Sequence, residues 1–412
     1  MFGKYRYDFL NRDIPYVAVV FRDGSYFVNH IYDQNREYIS KSLSDVLNDL
    51  FSKVKSGKIL LKSLGEVSLD SKIPLTIDTN RMLIIEGDGN TIIIPPSNNY
   101  AFEFNADSDW SKRLVFKNLR FKASSNQYAI HLIDCHRPTF ELCYFDRCNI
   151  LVESINTFCE GYTEIQCYHN HCGVEFRKTG GTGSWSDAVM LHSHFDNIAN
   201  GEYGIRINGG TFYRSDLYIV SVLIGGKLFD IASGVFGRNR IFAVLDGTSG
   251  TCFDITTTED CYGNDIKVTS PPSGLTMLNN PNNKLFGVLR LIGSDDVWRC
   301  YDSIPIGVNN VYGSEISFKP YMYNKLPDIR IVVGGTFGTG ETVTVKINVK
   351  YAHTTKYKEF SFTATADYTL SLADLFDLMV IYDGVNPLMI TAQAKSSSAS
   401  TSVTVTVHVI KR

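Results

Sequence analysis

The sequence predicts an all-β chain whose main body is a parallel β-helix, followed by an antiparallel β-sandwich. Three observations carry this. An apolar–charged–apolar triplet recurs at Ile205-Arg206-Ile207, Phe229-Asp230-Ile231 and Phe253-Asp254-Ile255, a constant step of 24 residues whose next landing is Met277. The same triplet stands upstream at Phe102-Glu103-Phe104, Ile130-His131-Leu132 and Val174-Glu175-Phe176, at intervals a few residues longer or shorter. Units repeating every 20–50 residues or so stack, because none can bury its apolar face alone. Within each unit apolar and polar residues alternate at period two, with Gly and Asn at the joins, so the unit is built of short strands. After residue 300 the period disappears, and Val343, Val345, Ile347 and Val349, then Val403, Val405, Val407 and Val409, alternate strictly. That is the pattern of antiparallel strands with one buried face.

Composition agrees. The 412 residues suit one elongated repeat domain with appendages, and 44% hydrophobic with 20% charged residues excludes a disordered chain. A net charge of −3 offers no footprint for nucleic acid or an anionic membrane. The opening residues, Met1 to Arg6, hold no signal-peptide core, and no apolar run is long enough to cross a membrane as a helix. A cytosolic protein fits this, as does a virion component that becomes extracellular on release.

In chain order, residues 1–56 form an N-terminal cap. Tyr16 to Arg22 alternates, Asp23-Gly24 turns, and Ser25 to Asn29 returns as a hairpin. A helix follows, with Ser42 as N-cap, Leu43, Val46, Leu47, Leu50, Phe51 and Val54 on one face, and Gly57 as its end. Such a helix would cover the open end of a solenoid. Residues 57–300 form the β-helix, about ten rungs at roughly 4.8 Å each. One coil is stretched from 24 to 31 residues by the segment Lys178–Ser186, and insertions in solenoids leave as loops on one face. Residues 301–412 form the sandwich, with one short helix at Ser371–Met379.

The helix, then Gly57-Lys58-Ile59-Leu60-Leu61, then Leu83-Ile84-Ile85-Glu86-Gly87-Asp88-Gly89-Asn90-Thr91, resembles the opening of right-handed β-helix proteins of the pectate lyase superfamily. The resemblance covers roughly residues 40–290 and departs from the family pattern at Leu64-Gly65-Glu66, where an aromatic is more usual. It implies a right-handed, single-stranded β-helix and is specific for fold rather than activity. With cap and distal sandwich, the assembly resembles viral tail spikes and tail fibres, including those of archaeal viruses. That resemblance implies a virion spike in which the β-helix is a stalk.

Three constellations could carry chemistry. Stacked in register, Glu103, His131, Glu175, Arg206, Asp230 and Asp254 would form one solvent-facing column. Asp230 and Asp254 would lie about 5 Å apart, the separation of a retaining glycosidase pair. Glu175, Asp230 and Asp254 are the catalytic candidates, yet any solvent-facing sheet carries such charges, and both readings stand. The second group is His169, His171, His192 and His194 with Asp187, Asp196 and Glu202 beside the stretched coil, a candidate glycan-facing surface. Trp185, His192, His194, Tyr203, Arg206 and Tyr213, with Tyr218 nearby, are the binding candidates. Cys148, His169, His171 and Cys172 have the ligand types of zinc, but alternation along strands turns them to opposite faces, so no metal is expected. The third group is Cys135/Cys159, Cys143/Cys167 and Cys148/Cys172, each pair 24 apart. They form either a ladder of buried thiols or at least one disulfide, and Leu142 opposite Ile165 would slip the register to 23. No nucleotide, phosphate or calcium motif is present, and no cofactor is expected.

The expected function is a virion adhesin binding a host-surface polysaccharide or glycoprotein, homotrimeric and attached to other virion proteins. A polysaccharide lyase or glycoside hydrolase, and a purely structural subunit, are the alternatives.

Overall fold

The computed structural model describes residues 14–180, 184–259, 261–269, 275–282, 285–292, 298–318, 328–351, 354–378 and 389–411. Residues 1–13, the centre of the 178–186 insertion and Met379 thus lie outside the described residues. By its contacts the chain divides into two compact units: residues 1–234 with 244–256 and 272–279, and residues 235–243 with 257–271 and 280–412.

The first unit is built on a parallel β-solenoid, which makes about 8 turns in the chain as a whole. Three interior columns follow directly from the strand register. One runs Ile59, Ile85, Phe116, Phe140, Glu164, Met190, Leu217. A second runs Val67, Ile93, Phe121, Phe145, His169, Phe195, Ser221. The third, Ile73, Phe102, Ile130, Ile150, Val174, Ile205, carries the triplets. Phe102, Ile130, Val174, Ile205, Phe229 and Phe253 are all fully buried, as their alternation requires. Phe229 and Phe253 stack with ring centroids 4.6 Å apart and planes 3° from parallel. Aromatic faces therefore add to simple apolar burial along the stack.

Two details of the period differ from expectation. The triplet search stepped over a rung, because Ile150-Leu151-Val152 has Leu at its centre and no charge to reveal it. Past residue 253 the step becomes 25, so Phe253 meets Leu278 rather than Met277. Conversely, Glu141 pairs with Ile165, so the suspected slip to 23 does not occur. Leu142 instead turns outward with φ of +54°.

The helix Leu43–Lys53 has Ser42 as N-cap, its hydroxyl accepting the Asp45 N–H at 3.2 Å. It ends at Val54, whose N–H returns to Leu50 O, and not at Gly57. Gly57 opens the next strand with φ of +98°, where a Cβ would sit 2.8 Å from Val17 Cγ1. Val46, Leu47, Leu50 and Phe51 are buried, and Phe51 meets Phe102 edge-on at 6.4 Å. The hairpin Tyr16–Asp23 and Tyr26–Ile31 gains a third strand, Arg36–Ser40, that alternation did not show. Tyr16–Asp23 also pairs in parallel with Gly57–Lys62, so hairpin and helix together cover the first coil. A chain beginning at Gly57 loses both covers. It is expected to aggregate and to melt earlier than the full chain, because an apolar coil end and an unpaired strand edge become exposed. A monodisperse, equally heat-stable truncated protein in light scattering and thermal melts would remove the capping role.

In the second unit, Val343–Tyr351 lies between Thr354–Phe362 and Met389–Ser396, all antiparallel. A separate sheet pairs Asp328–Thr336 with Ser402–Lys411 and Ala366–Thr369. Val343, Val345, Ile347, Val349, Val403, Val405, Val407 and Val409 fill the core between them, as strict alternation demands. The short helix is Leu372–Leu378.

Candidate functional site

The column centred on the triplets is a layered polar network rather than a row of solvated charges. By register it runs Glu103, His131, Leu151, Glu175, Arg206. Asp230 and Asp254 continue it through Arg206 and Lys227. The expectation that these acids face solvent fails: Glu175 is 1% exposed, Asp230 2% and Asp254 5%. Side chains from neighbouring rungs fold over them, because a buried carboxylate must be paired or hydrogen-bonded.

Glu175 shows how completely. Arg177 Nε donates to its Oε1 at 2.8 Å and Arg177 Nη2 to its Oε2 at 2.9 Å. Asn208 Nδ2 donates at 3.0 Å and Tyr203 Oη at 3.1 Å, and Tyr128 Oη also donates to Oε2. Burial alone would raise the Glu175 carboxyl, but the bonds from Arg177, Tyr128 and Asn208 outweigh it and hold the acid at about 2. Tyr128 is pushed up to about 12 by burial and by its bond to Glu175. Arg206 lies over the Tyr203 ring at 4.1 Å and donates to Asp230 at 2.6 Å. Lys227 bridges Asp230 and Asp254, and Asn279 Nδ2 donates to Asp254 at 2.6 Å.

At the other end of the column His131 stands between two carboxylates, with Glu103 3.1 Å from Nδ1 and Glu153 2.7 Å from Nε2. Lys72 closes on Glu103 at 2.7 Å, and burial of Glu103 is outweighed by Lys72 and His131, so its carboxyl is lowered. Tyr100 packs on His131 at 4.4 Å. Glu153, Tyr100, Tyr128, Arg177 and Asn208 were not visible in the sequence, since none occupies the repeated triplet position. For Tyr128 and Arg177 the one signal was their spacing of two residues from a triplet centre or edge.

The surface of this network is made of half-exposed cations, Lys72, Arg177, Arg206 and Lys227, lying over deeper acids. Each cation is matched by at least one carboxylate, so the face is close to charge-balanced.

The remaining binding candidates scatter. Trp185 was expected on the surface but is 2% exposed, packed on Phe176 at 6.0 Å. Ser184–Ser186 is a strand paired to Cys159–Glu160 and Thr211–Tyr213, and it turns the indole into the coil. Tyr203 is likewise buried, against the expectation of an exposed aromatic. Tyr213 lies under Arg214 at 4.8 Å. His192 packs edge-on against Tyr218 at 4.2 Å. His194 stacks on Tyr168, which stacks on Tyr144 at 5.0 Å, with Arg120 over Tyr144 at 5.8 Å. That ladder spends its ring faces on one another.

The zinc alternative does not assemble. His169 turns into the core between Phe145 and Phe195, while His171 pairs with Glu202 near the surface at 3.3 Å. Among the described residues no group of three or more metal-ligating side chains converges. The cysteines are a ladder of thiols: all eight described by the structure are buried and free. Tyr144 opposite Tyr168 sets Cys143 beside Cys167. Burial pushes the Cys159 thiol up to about 12, far from the thiolate needed for reaction.

No family model matches the sequence, and no curated protein matches it. Among solved structures the chain is similar to the enzymatically active domain of tailspike protein 4 of bacteriophage CBA120. Sequence identity is 9% and the TM-score 0.29, with 90% of this chain and 66% of that chain covered. At that identity and score the likeness bears no argument about activity.

Proposed function

We propose that the protein is a glycan-binding spike whose contact face is the Tyr128–Glu175–Arg177–Arg206–Lys227 network. One observation carries the reading: cations lie half-exposed over buried acids that hold them in fixed orientation. Donors oriented by carboxylates beneath them suit hydroxyl groups, and a charge-balanced face favours an uncharged, hydroxyl-rich polysaccharide over an anionic one. An anionic chain would have to compete with carboxylates already in place. The virion setting, the host surface as target and the homotrimer belong to the same proposal and rest on the sequence resemblance to viral spikes.

Cleavage is the second reading, since Asp230 and Asp254 lie on successive rungs beside one lysine. A catalytic acid, however, must hold a proton near neutral pH. Glu175 is driven the opposite way, and Asp230 and Asp254 are clamped by Arg206 and Lys227. The arrangement favours binding.

Replacing Arg177 with alanine is expected to weaken retention on a neutral host polysaccharide by about tenfold or more, a loss of at least about 1.4 kcal/mol. Raising the salt concentration should change retention of the wild type little, because the face carries little net charge. Affinity electrophoresis in polysaccharide-containing gels reads both. Retention unchanged by Arg177→Ala, or steeply salt-dependent, would contradict the reading.

A further inference from the structure

The most exposed large aromatic in the first unit is not on the polar face. Trp110 is 66% exposed, at the corner where the strand Phe102–Asn105 gives way to Arg113–Lys117. Its turn is firmly pinned. The Asp109 N–H donates to Ala106 O at 3.0 Å and the Lys112 N–H to Asp109 O at 3.2 Å. The Asp109 carboxylate accepts from the Ser111 N–H at 3.0 Å and from Thr79 Oγ1 at 2.9 Å. Ser111 Oγ in turn accepts the Asn80 N–H at 2.8 Å. A tryptophan that merely happened to be exposed needs no such support. This one is held in a fixed position with most of its surface free.

The next rung supplies the hydrogen-bonding partners. His136 lies 6.4 Å from the Trp110 ring, inclined by 52°. It is only 7% exposed, yet its Nδ1 has no hydrogen-bond partner within the protein. Buried ring nitrogens are ordinarily satisfied, so an orphan beside an exposed indole points to a group from outside. Burial also holds the imidazole below its ordinary range, which keeps it neutral and able to accept or donate. Arg137, beside it, donates to Glu160 at 3.2 Å, an ion pair at the rim. Cys135 and Pro138, which flank His136 and Arg137, line a small cavity with Glu160, Ser186 and Trp185. The Trp185 Nε1–H there also lacks a partner.

We propose that this corner is a sugar subsite, in which one pyranose ring lies on the exposed face of Trp110 and sets its hydroxyls on His136 Nδ1 and the Arg137–Glu160 pair. The chemistry selects the class. A pyranose has one face of C–H bonds for the indole and a rim of hydroxyls for the surrounding polar groups. An apolar peptide side chain would leave His136 Nδ1 and the ion pair unanswered. The proposal rests on the glycan-binding reading and adds to it an aromatic anchor on a different edge of the coil from the polar face.

Saturation-transfer NMR on the full chain tests it, with a mixture of the methyl glycosides of glucose, galactose, mannose, N-acetylglucosamine and N-acetylgalactosamine as probe. Transfer to ring C–H protons of at least one glycoside is expected. It should fall about tenfold in Trp110→Ala and recover in part in Trp110→Phe, which restores an aromatic face. Because Trp110 is exposed, both variants should melt as the wild type does. Transfer unchanged in Trp110→Ala, or absent from the wild type, overturns the subsite. If polysaccharide retention still depends on Arg177 in either case, the glycan-binding reading survives. If retention is absent as well, both fall.

Discussion

Replacing His169 with alanine is expected to destabilise the protein by about 3–5 kcal/mol, because it strands a carboxylate inside the coil. Glu164 and His169 occupy interior positions in two adjoining columns and both are fully buried. His169 Nε2 lies 3.2 and 3.3 Å from the two Glu164 oxygens, and Tyr162 Oη donates to the same carboxylate. The imidazole is sandwiched between Phe145 at 4.9 Å and Phe195 at 4.6 Å, both within 10° of parallel. A buried pair of this kind is not in itself a source of stability, since desolvation offsets the attraction. The triple replacement Tyr162→Phe, Glu164→Met and His169→Phe would continue both apolar columns without leaving an orphan. It should therefore match or exceed the wild type, by up to about 4 kcal/mol. Denaturant unfolding of single and triple variants checks this, and equal destabilisation of both would contradict it.

The pair also sets a pH dependence. Burial raises the Glu164 carboxyl, but His169 and the bonds from His169 and Tyr162 outweigh it, leaving it lowered in the folded state. A lowered folded value means that its contribution is present above the unfolded value of about 4.3 and is lost as pH falls through the folded one. The melting temperature of the wild type should consequently drop more steeply below about pH 4 than that of the triple variant.

Phe229→Asp is expected to prevent folding of the solenoid, a loss of about 5 kcal/mol or more. It removes a ring stacked at 4.6 Å on Phe253 and puts an unpaired charge in its place. Phe229→Leu should cost only about 1 kcal/mol, since the column remains apolar. Circular dichroism melts of the two variants separate these outcomes, and an Asp variant that melts like the Leu variant would mean that position 229 is not interior.

The fold was legible because alternation and a 24-residue step are backbone properties written at every rung. The interior residues of the triplets and the valines of the sandwich followed from them directly. Polar surroundings were much less legible. Period two says that Glu175 points away from the core, but not that Tyr128, Arg177, Tyr203 and Asn208 close over it, because those contacts cross rungs. Strand parity likewise gave no warning that Glu164 and His169 point inward, since inward positions are expected to be apolar. Trp185 was misplaced for a related reason. An insertion was read as a loop, whereas its end rejoins the sheet as Ser184–Ser186 and buries the indole. Trp110 lies in a turn outside the repeat and drew no notice, although it is the exposed one.

The central claim is that the polar face holds a polysaccharide without cutting it. The most direct measurement incubates the protein with a host-surface polysaccharide it retains, and follows chain length and newly formed reducing ends together. The account predicts retained, full-length chains with no reducing ends above background, in the wild type and in the Asp230→Asn, Asp254→Asn double variant alike. Chains that shorten with the wild type and stay intact with the double variant would contradict it and make the carboxylate ladder a catalytic one.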